Sequence, residues 1–263
     1  PPLAIKIETQ APTAPAAPDM TAATDTGASN SDNITNNPLP VFTIATPAAG
    51  ETPDLYVDGV KVEATFDPIN NTLTPNTPLA EGNYTITTSV TDTAGNVSPQ
   101  SPPLPIIIDT APPKQPLAPD MTAATDTGIS PADNITSNTR PSFTIAPPAA
   151  GETPNLYVGS VKVPSVFDPA TNTLTPVTPL AEGVYNITTT LTDAAGNESP
   201  NSPPVAVTID TTAPNAPTVA PDRTAATDTG FSTTDNLTGN APPAFAVAPL
   251  ADGEPPSLDV DGI

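Results

Sequence analysis

The sequence predicts an all-β protein made of tandem sandwich domains of about 100 residues, joined by short proline-containing linkers. The first observation behind this is a repeat: the segment DMTAATDTG at Asp19 returns at Asp120, 101 residues later, and with one change at Asp222. A period of this length is a whole domain with a core of its own. The second is apolar alternation with a period of two, and the third is proline, which interrupts every long stretch.

The clearest strand covers residues 83–92, where Tyr84, Ile86 and Val90 fall on one face and polar residues on the other. Asp58-Gly59 lies between apolar positions and predicts a hairpin turn. The remaining strands of the first copy are predicted near 12–22, 40–46, 53–58, 60–66, 72–76 and 102–109. About seven short strands in roughly 100 residues are typical of an immunoglobulin-like β-sandwich, and Tyr84 stands where such domains have a tyrosine corner.

The copies divide the chain into four parts. Residues 1–8 align with 203–210, the end of the second copy, and are expected to be the last strand of a preceding repeat. Complete repeats are predicted at 9–109 and 110–210, and 211–263 reads as the first half of a third. We therefore expect the chain to be a window cut from a longer array.

The amino-acid composition limits the kinds of partner that the chain can bind. The chain has 28 acidic and six basic residues, for a formal charge of −22. Nucleic acids and anionic membranes attract basic surfaces, so neither is an expected partner, whereas cations are. There is no cysteine and therefore no disulfide. No stretch approaches the ~20 apolar residues of a membrane span.

The same composition argues against an enzyme. Histidine, cysteine and tryptophan are all absent, which excludes Ser-His-Asp and Cys-His catalysis and histidine-ligated metals. The acidic residues lie in turn motifs that recur in each copy, and this indicates structure instead of one tuned catalytic site. We expect no catalytic residue and no organic cofactor.

The acidic loops are expected to meet between repeats. In an immunoglobulin-like sandwich the loop after the first strand lies at the C-terminal end, and the loop before the last strand lies at the N-terminal end. At the seam between repeats one and two, Asp25, Asp32 and Asp109 are therefore expected to face Asp193 and Asn197. Converging carboxylates repel one another, and calcium, which takes six to eight oxygen ligands, would resolve the conflict.

Equivalent candidate ligands recur elsewhere: Asp126, Asp133 and Asp210 at the following seam, and Asp92 and Asn96 in repeat one. Where the later seams have Asp109 and Asp210, the first has Glu8, a longer arm that could alter the coordination. The alternative interpretation is that Asp and Asn beside Gly are turn residues that hydrogen-bond their own backbone. The sequence leaves both interpretations open.

Several motifs together resemble a known family. They are DTGxSxxDNIT at 126–136, LAEGxY before the strand at 83–92, TDAAGNES at 192–199 and IDTTAP at 209–214. These are similar to the bacterial Ig-like repeats of giant surface adhesins and biofilm-associated proteins. The resemblance implies a secreted stalk of many copies on the bacterial cell surface, often rigidified by calcium, that holds an adhesive domain away from the cell.

Two functions remain. In the first, the segment is a structural spacer in cell adhesion whose partners are the neighbouring repeats of its own chain and whose stiffness depends on calcium. In the second, it is a self-associating module of a surface filament or biofilm matrix, in which like chains complement one another's strands. The spacer is favoured because a cut through a repeating array explains the incomplete repeats more simply.

Overall fold

The computed structural model describes residues 7–229, 231–232, 234–239, 241–247 and 256–258. Repeats one and two are built from the same nine strands in the same order. Repeat one has β1 Asp19–Met20, β2 Ile34–Thr35, β3 Phe42–Thr43, β4 Thr52–Val57, β5 Val60–Val62, β6 Ala64–Asp67, β7 Thr72–Pro75, β8 Gly82–Thr91 and β9 Leu104–Ile108. Repeat two has β10 Asp120–Met121, β11 Ile135–Thr136, β12 Phe143–Thr144, β13 Thr153–Val158, β14 Val161–Val163, β15 Ser165–Asp168, β16 Thr173–Pro176, β17 Gly183–Thr192 and β18 Val205–Ile209.

The described part of the third repeat contributes one antiparallel pair, β19 Asp222–Arg223 with β20 Phe245–Ala246. Residues 230, 233, 240, 248–255 and 259–263 of the predicted half repeat lie outside the described residues, as do residues 1–6 of the predicted preceding strand. Ile7 and Glu8, the last two residues of that strand, are described and form no strand. Within the described stretches no helix is long and apolar enough to cross a membrane.

Each complete repeat is a sandwich of two sheets. In repeat one the four-stranded sheet has the order β1-β3-β7-β6 and the five-stranded sheet has the order β2-β9-β8-β4-β5. Repeat two has the matching orders β10-β12-β16-β15 and β11-β18-β17-β13-β14. Neighbouring strands are antiparallel except β2 with β9 and β11 with β18, which are parallel. The predicted all-β class with tandem sandwich domains is confirmed.

Each repeat buries its own apolar core. In repeat one, Phe42, Leu55, Leu73 and Ile86 are almost completely buried between the sheets. Their counterparts 101 residues later form a second, separate cluster in repeat two. Alternation along each strand directs these side chains inward, and every fully buried Leu or Ile stabilises the fold by about 1.5–3 kcal/mol. The two domains therefore do not share a core.

Three strand predictions need correction. The strand expected at 60–66 divides at Glu63, because β5 pairs with β4 across the Asp58-Gly59 turn, whereas β6 pairs with β7 in the other sheet. The strand expected at 12–22 is only Asp19–Met20, since the prolines before it donate no backbone N–H. The short strand β2 was not predicted at all and lies between the strands expected at 12–22 and 40–46.

Two local predictions are confirmed. Asp58 and Gly59 have φ angles of 51° and 78°, as a tight hairpin turn requires. The Tyr84 hydroxyl donates to the Ala80 carbonyl at 3.0 Å, and Tyr185 donates to Ala181 at 3.0 Å in the same way. These tyrosine corners fix the chain as it enters β8 and β17.

Serine hydroxyls satisfy part of the backbone of β8. The following Ser-Pro segments run beside this strand, but proline has no N–H and cannot continue a regular ladder. Ser98 Oγ accepts from the Val90 N–H at 3.0 Å, and Ser101 Oγ accepts from the Thr88 N–H at 3.0 Å. Both serines are buried, so these bonds take the place of a strand pairing.

Candidate functional site at the seam between the repeats

Two loops meet directly at the junction of repeats one and two. We call residues 25–33 of repeat one the upstream loop and residues 193–197 of repeat two the downstream loop. Thr26 Oγ1 donates to the Ala195 carbonyl at 2.8 Å, and the Ala28 N–H donates to the Ala194 carbonyl at 3.2 Å. The repeats are therefore joined by hydrogen bonds between their loops as well as by the covalent linker.

The loops approach so closely that glycine is required at position 27 and that a side chain at position 196 would be crowded. Gly27 has a φ of +106°, and a Cβ atom added there would lie 2.0 Å from the Ala194 oxygen. Gly196 has a φ of +92°, and a Cβ atom there would lie 3.0 Å from the Gly27 Cα. Any side chain at position 27 would push the loops apart.

Repeat one provides an internal comparison for the downstream loop. Ala195 is completely buried at the seam, whereas its counterpart Ala94 is exposed. Gly95, the counterpart of Gly196, has a similar φ of +88° but has open space where a Cβ would be. The burial of Ala195 therefore comes from docking of the neighbouring repeat and not from the loop's own fold.

An asparagine in the downstream loop holds the linker. Asn197 Nδ2 donates to the Asp109 carbonyl at 2.8 Å and to Asp193 Oδ2 at 2.9 Å. Repeat one has the same arrangement, in which Asn96 Nδ2 donates to the Glu8 carbonyl at 3.3 Å. Because the Glu8 contact uses the backbone, the exchange of aspartate for glutamate leaves it intact.

Two of the predicted carboxylate ligands come together at the seam, beside Asn197. Asp109 and Asp193 line one groove, and Glu152 lines it as well. Each aspartate also stabilises its own turn: Asp193 Oδ1 accepts from the Asn197 N–H at 2.9 Å, and Asp109 Oδ1 accepts from the Ala111 N–H at 3.1 Å. Across the described residues, no three acidic side chains form a group that could hold a metal ion by themselves.

Asp25 lies elsewhere, inside its own repeat. Its residue is only 3% exposed, and its Oδ2 accepts from the Asn33 N–H at 3.1 Å. Its Oδ1 is buried without a hydrogen-bond partner, and so is the Asn33 side-chain oxygen. Burial raises the pKa of the Asp25 carboxyl above its usual value, and the nearby Asp32 carboxylate raises it further.

The buried aspartate recurs in every copy. Asp126 is 4% exposed and Asp228 is 2% exposed, and each has an unpartnered Oδ1. Each also accepts from the backbone N–H of the asparagine eight residues later, Asn134 or Asn236. These carboxylates therefore organise the upstream loop of each repeat.

The remaining predicted ligands occupy turns. Asp32 Oδ1 and Asp133 Oδ1 accept from N–H groups two residues later, and Asp32 lines a separate groove beside Tyr84. Asp133 and Asp210 share a groove at the end of repeat two. In repeat one, hydrogen bonds from the Asn96 side chain and backbone lower the pKa of Asp92.

The hydrogen bonds that the turn interpretation expects are therefore present at these aspartates. Asp32, Asp92, Asp109, Asp133, Asp193 and Asp210 each accept a backbone N–H in their own loop. A turn contact uses only part of a carboxylate's capacity, since its two oxygens offer about four lone-pair positions. Calcium ligation by these residues stays a prediction.

Comparison with known proteins identifies the family. A sequence profile described as bacterial Ig-like domain matches residues 11–110 and 113–211, in two tandem copies. The chain belongs to this family. No curated protein sequence matches it.

Solved structures with some likeness include other tandem arrays. The fibronectin(III)-like modules of Clostridium thermocellum CbhA share 12% identity, with a TM-score of 0.41 over 67% of this chain and 87% of that one. A tetra-tandem repeat from the extending region of a large adhesion protein shares 18% identity, with a TM-score of 0.25 over 80% of this chain and 51% of that one. A Bacteroides ovatus glucan-utilization protein, SGBP-B, shares 19% identity with a TM-score of 0.25 over 73% and 47%.

Proposed function

We propose that this segment is a structural, non-catalytic spacer in an extracellular bacterial adhesin or biofilm-associated protein. Its role is to hold an adhesive domain away from the cell surface. The observation that carries the proposal is the loop-to-loop seam, in which Thr26 and Ala28 bind the backbone of the following repeat. A repeat that contacts the next repeat in this way fixes the orientation of its neighbour, and the same contact can recur along an array.

The motifs of the seam support an array. The Ala-Gly-Asn of the downstream loop occurs at 94–96 and again at 195–197, and the Asp-Thr-Gly of the upstream loop occurs in all three copies. Each repeat also has its own core, so added repeats lengthen the chain without changing the fold of their neighbours. Both properties suit a spacer better than a single binding site.

We further propose that calcium binds this chain and stiffens the seam. Two places offer oxygen ligands to a hard cation, although at neither do three acidic side chains of the described residues lie close enough to hold it by themselves. The first is the groove that holds Asp109, Glu152 and Asp193 with their negative charges. The second is the upstream loop, where the unpartnered oxygens of Asp25 and Asn33 are buried. Carboxylate and amide oxygens in loops are the ligands that calcium takes, and backbone carbonyls can complete its shell.

Small-angle scattering of the whole chain tests both parts of this proposal. In calcium we expect repeats one and two to form an extended unit with one well-defined separation. With excess chelator, repulsion in the acidic groove should broaden the distribution of separations while each repeat stays folded. An equal ionic strength of sodium chloride is the control, because it screens charge without supplying a specific ligand.

One variant and its matched control test the seam groove. Asp193→Asn removes charge from the seam groove, and Asp92→Asn makes the same change in the downstream loop of repeat one as the control. If Asp193→Asn alone removes the calcium response, the groove holds the ion. Identical scattering in calcium and chelator would withdraw the calcium proposal and leave the docked spacer. A flexible pair of domains in both conditions would withdraw the spacer's stiffness as well.

A further inference from the structure

A cluster of polar side chains on the five-stranded sheet of repeat two holds both ends of the downstream loop. At the start of the loop, Asn155 Nδ2 donates to Thr192 Oγ1 at 2.8 Å. At its end, Glu198 Oε1 accepts from the Tyr157 hydroxyl at 2.7 Å and also from the Thr190 hydroxyl. The backbones of Thr192 and Glu198 pair with each other as well. The loop is therefore fastened to β13 and β17 at both of its ends.

Side chains in repeat one hold only the start of its equivalent loop. Asp54, the counterpart of Asn155, accepts from the Thr91 hydroxyl at 3.0 Å. The end of the loop carries Val97 in place of Glu198, and a valine side chain accepts no hydrogen bond. Val97 is accordingly 48% exposed. The two repeats therefore share the turn of this loop but differ in how the loop is attached to the sheet.

The two sequence differences compensate each other in charge. Each repeat places one carboxylate beside the lysine of its edge strand, which is β5 or β14. In repeat one, Asp54 Oδ1 lies 2.8 Å from Lys61 Nζ, and in repeat two, Glu198 Oε1 lies 3.6 Å from Lys162 Nζ. Two carboxylates beside one lysine would repel each other, whereas none would leave the lysine unpaired. The acid thus lies on a strand in one repeat and on the loop in the other, with the same net charge.

The cluster of repeat two lies against the docked loop of repeat one. Side chains around Glu198 line one groove together with the upstream loop: Asn155, Lys162 and Thr192 on one side, and Gly27 and Ala28 on the other. A loop that is already ordered loses less conformational entropy when it docks. Fastening the end of the downstream loop therefore favours its contact with repeat one.

We propose that Glu198 is a positioning residue that orders the downstream loop of repeat two for docking on repeat one. The residue at this position then determines how firmly a repeat is held by the one before it. Glutamate gives a stiff seam, whereas valine, as in repeat one, gives a looser seam. Seams along one array therefore differ in stiffness. This inference rests on the docked seam of the proposed spacer and adds the residue that selects the stiff seams.

The distance between spin labels on the two sides of the seam tests this role in the whole chain, with Ile69→Cys in repeat one and Ala170→Cys in repeat two. The decisive variant combines Asn155→Asp with Glu198→Val, which gives repeat two the cluster of repeat one. Because repeat one folds with that cluster, we expect the thermal unfolding of this variant to match the parent. The parent should give one narrow distance distribution, and the variant should lose it and give a broad one.

Two further variants separate the hydrogen bonds from the charge and from the act of substitution. Glu198→Gln keeps a side-chain oxygen that accepts from Tyr157 and Thr190 and loses only the ion pair, so we expect its distribution to stay narrow. Asp54→Asn with Val97→Glu makes the reciprocal exchange in repeat one. The downstream loop of repeat one does not lie at this seam, so this control should also stay narrow.

Narrow distributions in both the parent and the Asn155→Asp, Glu198→Val variant would overturn the role of Glu198 and leave the docked seam intact. A broad distribution in Glu198→Gln would overturn it as well, because that variant retains the hydrogen bonds. Equal broadening by the reciprocal exchange would do the same, since that loop lies away from the seam. A broad distribution in the parent itself would overturn the docked spacer together with this inference.

Discussion

Gly27 and Gly196 let two loops from different repeats touch through their backbones. Both glycines belong to motifs that recur in the sequence, Asp-Thr-Gly and Ala-Gly-Asn. From the sequence alone, these motifs indicate turns and no contact between repeats. A turn needs a positive φ, and Gly95 meets that need with open space around it. The close approach of Gly27 to Ala194 depends on the placement of two domains, and no local pattern encodes such a distance.

The sequence indicated which acidic residues lie near the seam more reliably than it indicated what each carboxylate contacts. The sequence placed Asp109 and Asp193 at one seam, and the structure brings both to one groove. Asp25 was expected at the same seam because the loop after the first strand lies at the C-terminal end of an immunoglobulin-like sandwich. Its side chain lies in its own repeat because the Asn33 N–H needs an acceptor inside the loop. The sequence signal for this role was the asparagine eight residues after each such aspartate.

Replacing Asp25 with asparagine should change how stability depends on pH. Because the folded pKa of Asp25 is raised, the folded state binds more protons than the unfolded state, and stability falls as pH rises through that window. Asp25→Asn keeps an acceptor for the Asn33 N–H and removes the charge. In the presence of chelator, we expect the variant to be at least as stable as the parent at neutral pH. Unlike the parent, it should not gain stability from Asp25 as the pH is lowered. Thermal unfolding across a range of pH measures both effects.

Asp67→Asn is the control with the opposite sign. Hydrogen bonds from Asn70 and Ile69 lower the pKa of Asp67, so its contribution to stability is lost as pH falls through the folded pKa. This variant should therefore weaken the loss of stability in acid. If Asp25→Asn instead lowers stability equally at every pH, the carboxylate is required as an ion and the assigned pKa direction is wrong.

Among the strands, period-two alternation predicted β4, β7 and β8 well because each buries one face over several residues. It failed for β2, which has two residues, too few to show a period, and which forms only because β9 lies beside it. It also joined β5 and β6 into one strand, since alternation cannot show that the chain changes sheets at Glu63. Long-range pairing decides both cases.

The buried serines beside β8 should contribute more to the stability of the fold than exposed serines in the loops. Ser101→Ala removes the acceptor of the buried Thr88 N–H, and leaving such a group unsatisfied costs about 1–3 kcal/mol. Ser31→Ala, at an exposed loop position, should change stability by no more than about 0.5 kcal/mol. Denaturant unfolding of the two variants compares these values. Equal, small effects would mean that water replaces the serine hydroxyl at Thr88.

Across the whole molecule, domain repetition followed from the sequence because a period of 101 residues is unambiguous, and the all-β class followed from apolar alternation with a period of two. The junctions are less uniform than the domains. In the second linker, Thr211 and the additional Thr212 both donate to Glu182, at 2.9 and 2.8 Å, and lower its pKa. The first linker has alanine in place of this second threonine. The two linkers therefore make different contacts with the repeats that precede them.

Docking of the upstream loop on the downstream loop is the central claim, and the distance between two spin labels tests it most directly. Ile69→Cys and Ala170→Cys are exposed, equivalent positions in repeats one and two of a chain without native cysteine. We expect one narrow distance distribution in the parent and in Gly95→Ala, and a broad one in Gly196→Ala. Gly95→Ala imposes the same backbone strain as Gly196→Ala without a seam contact. Equally narrow distributions in all three proteins would show that the linker alone orients the repeats and would contradict the docked seam.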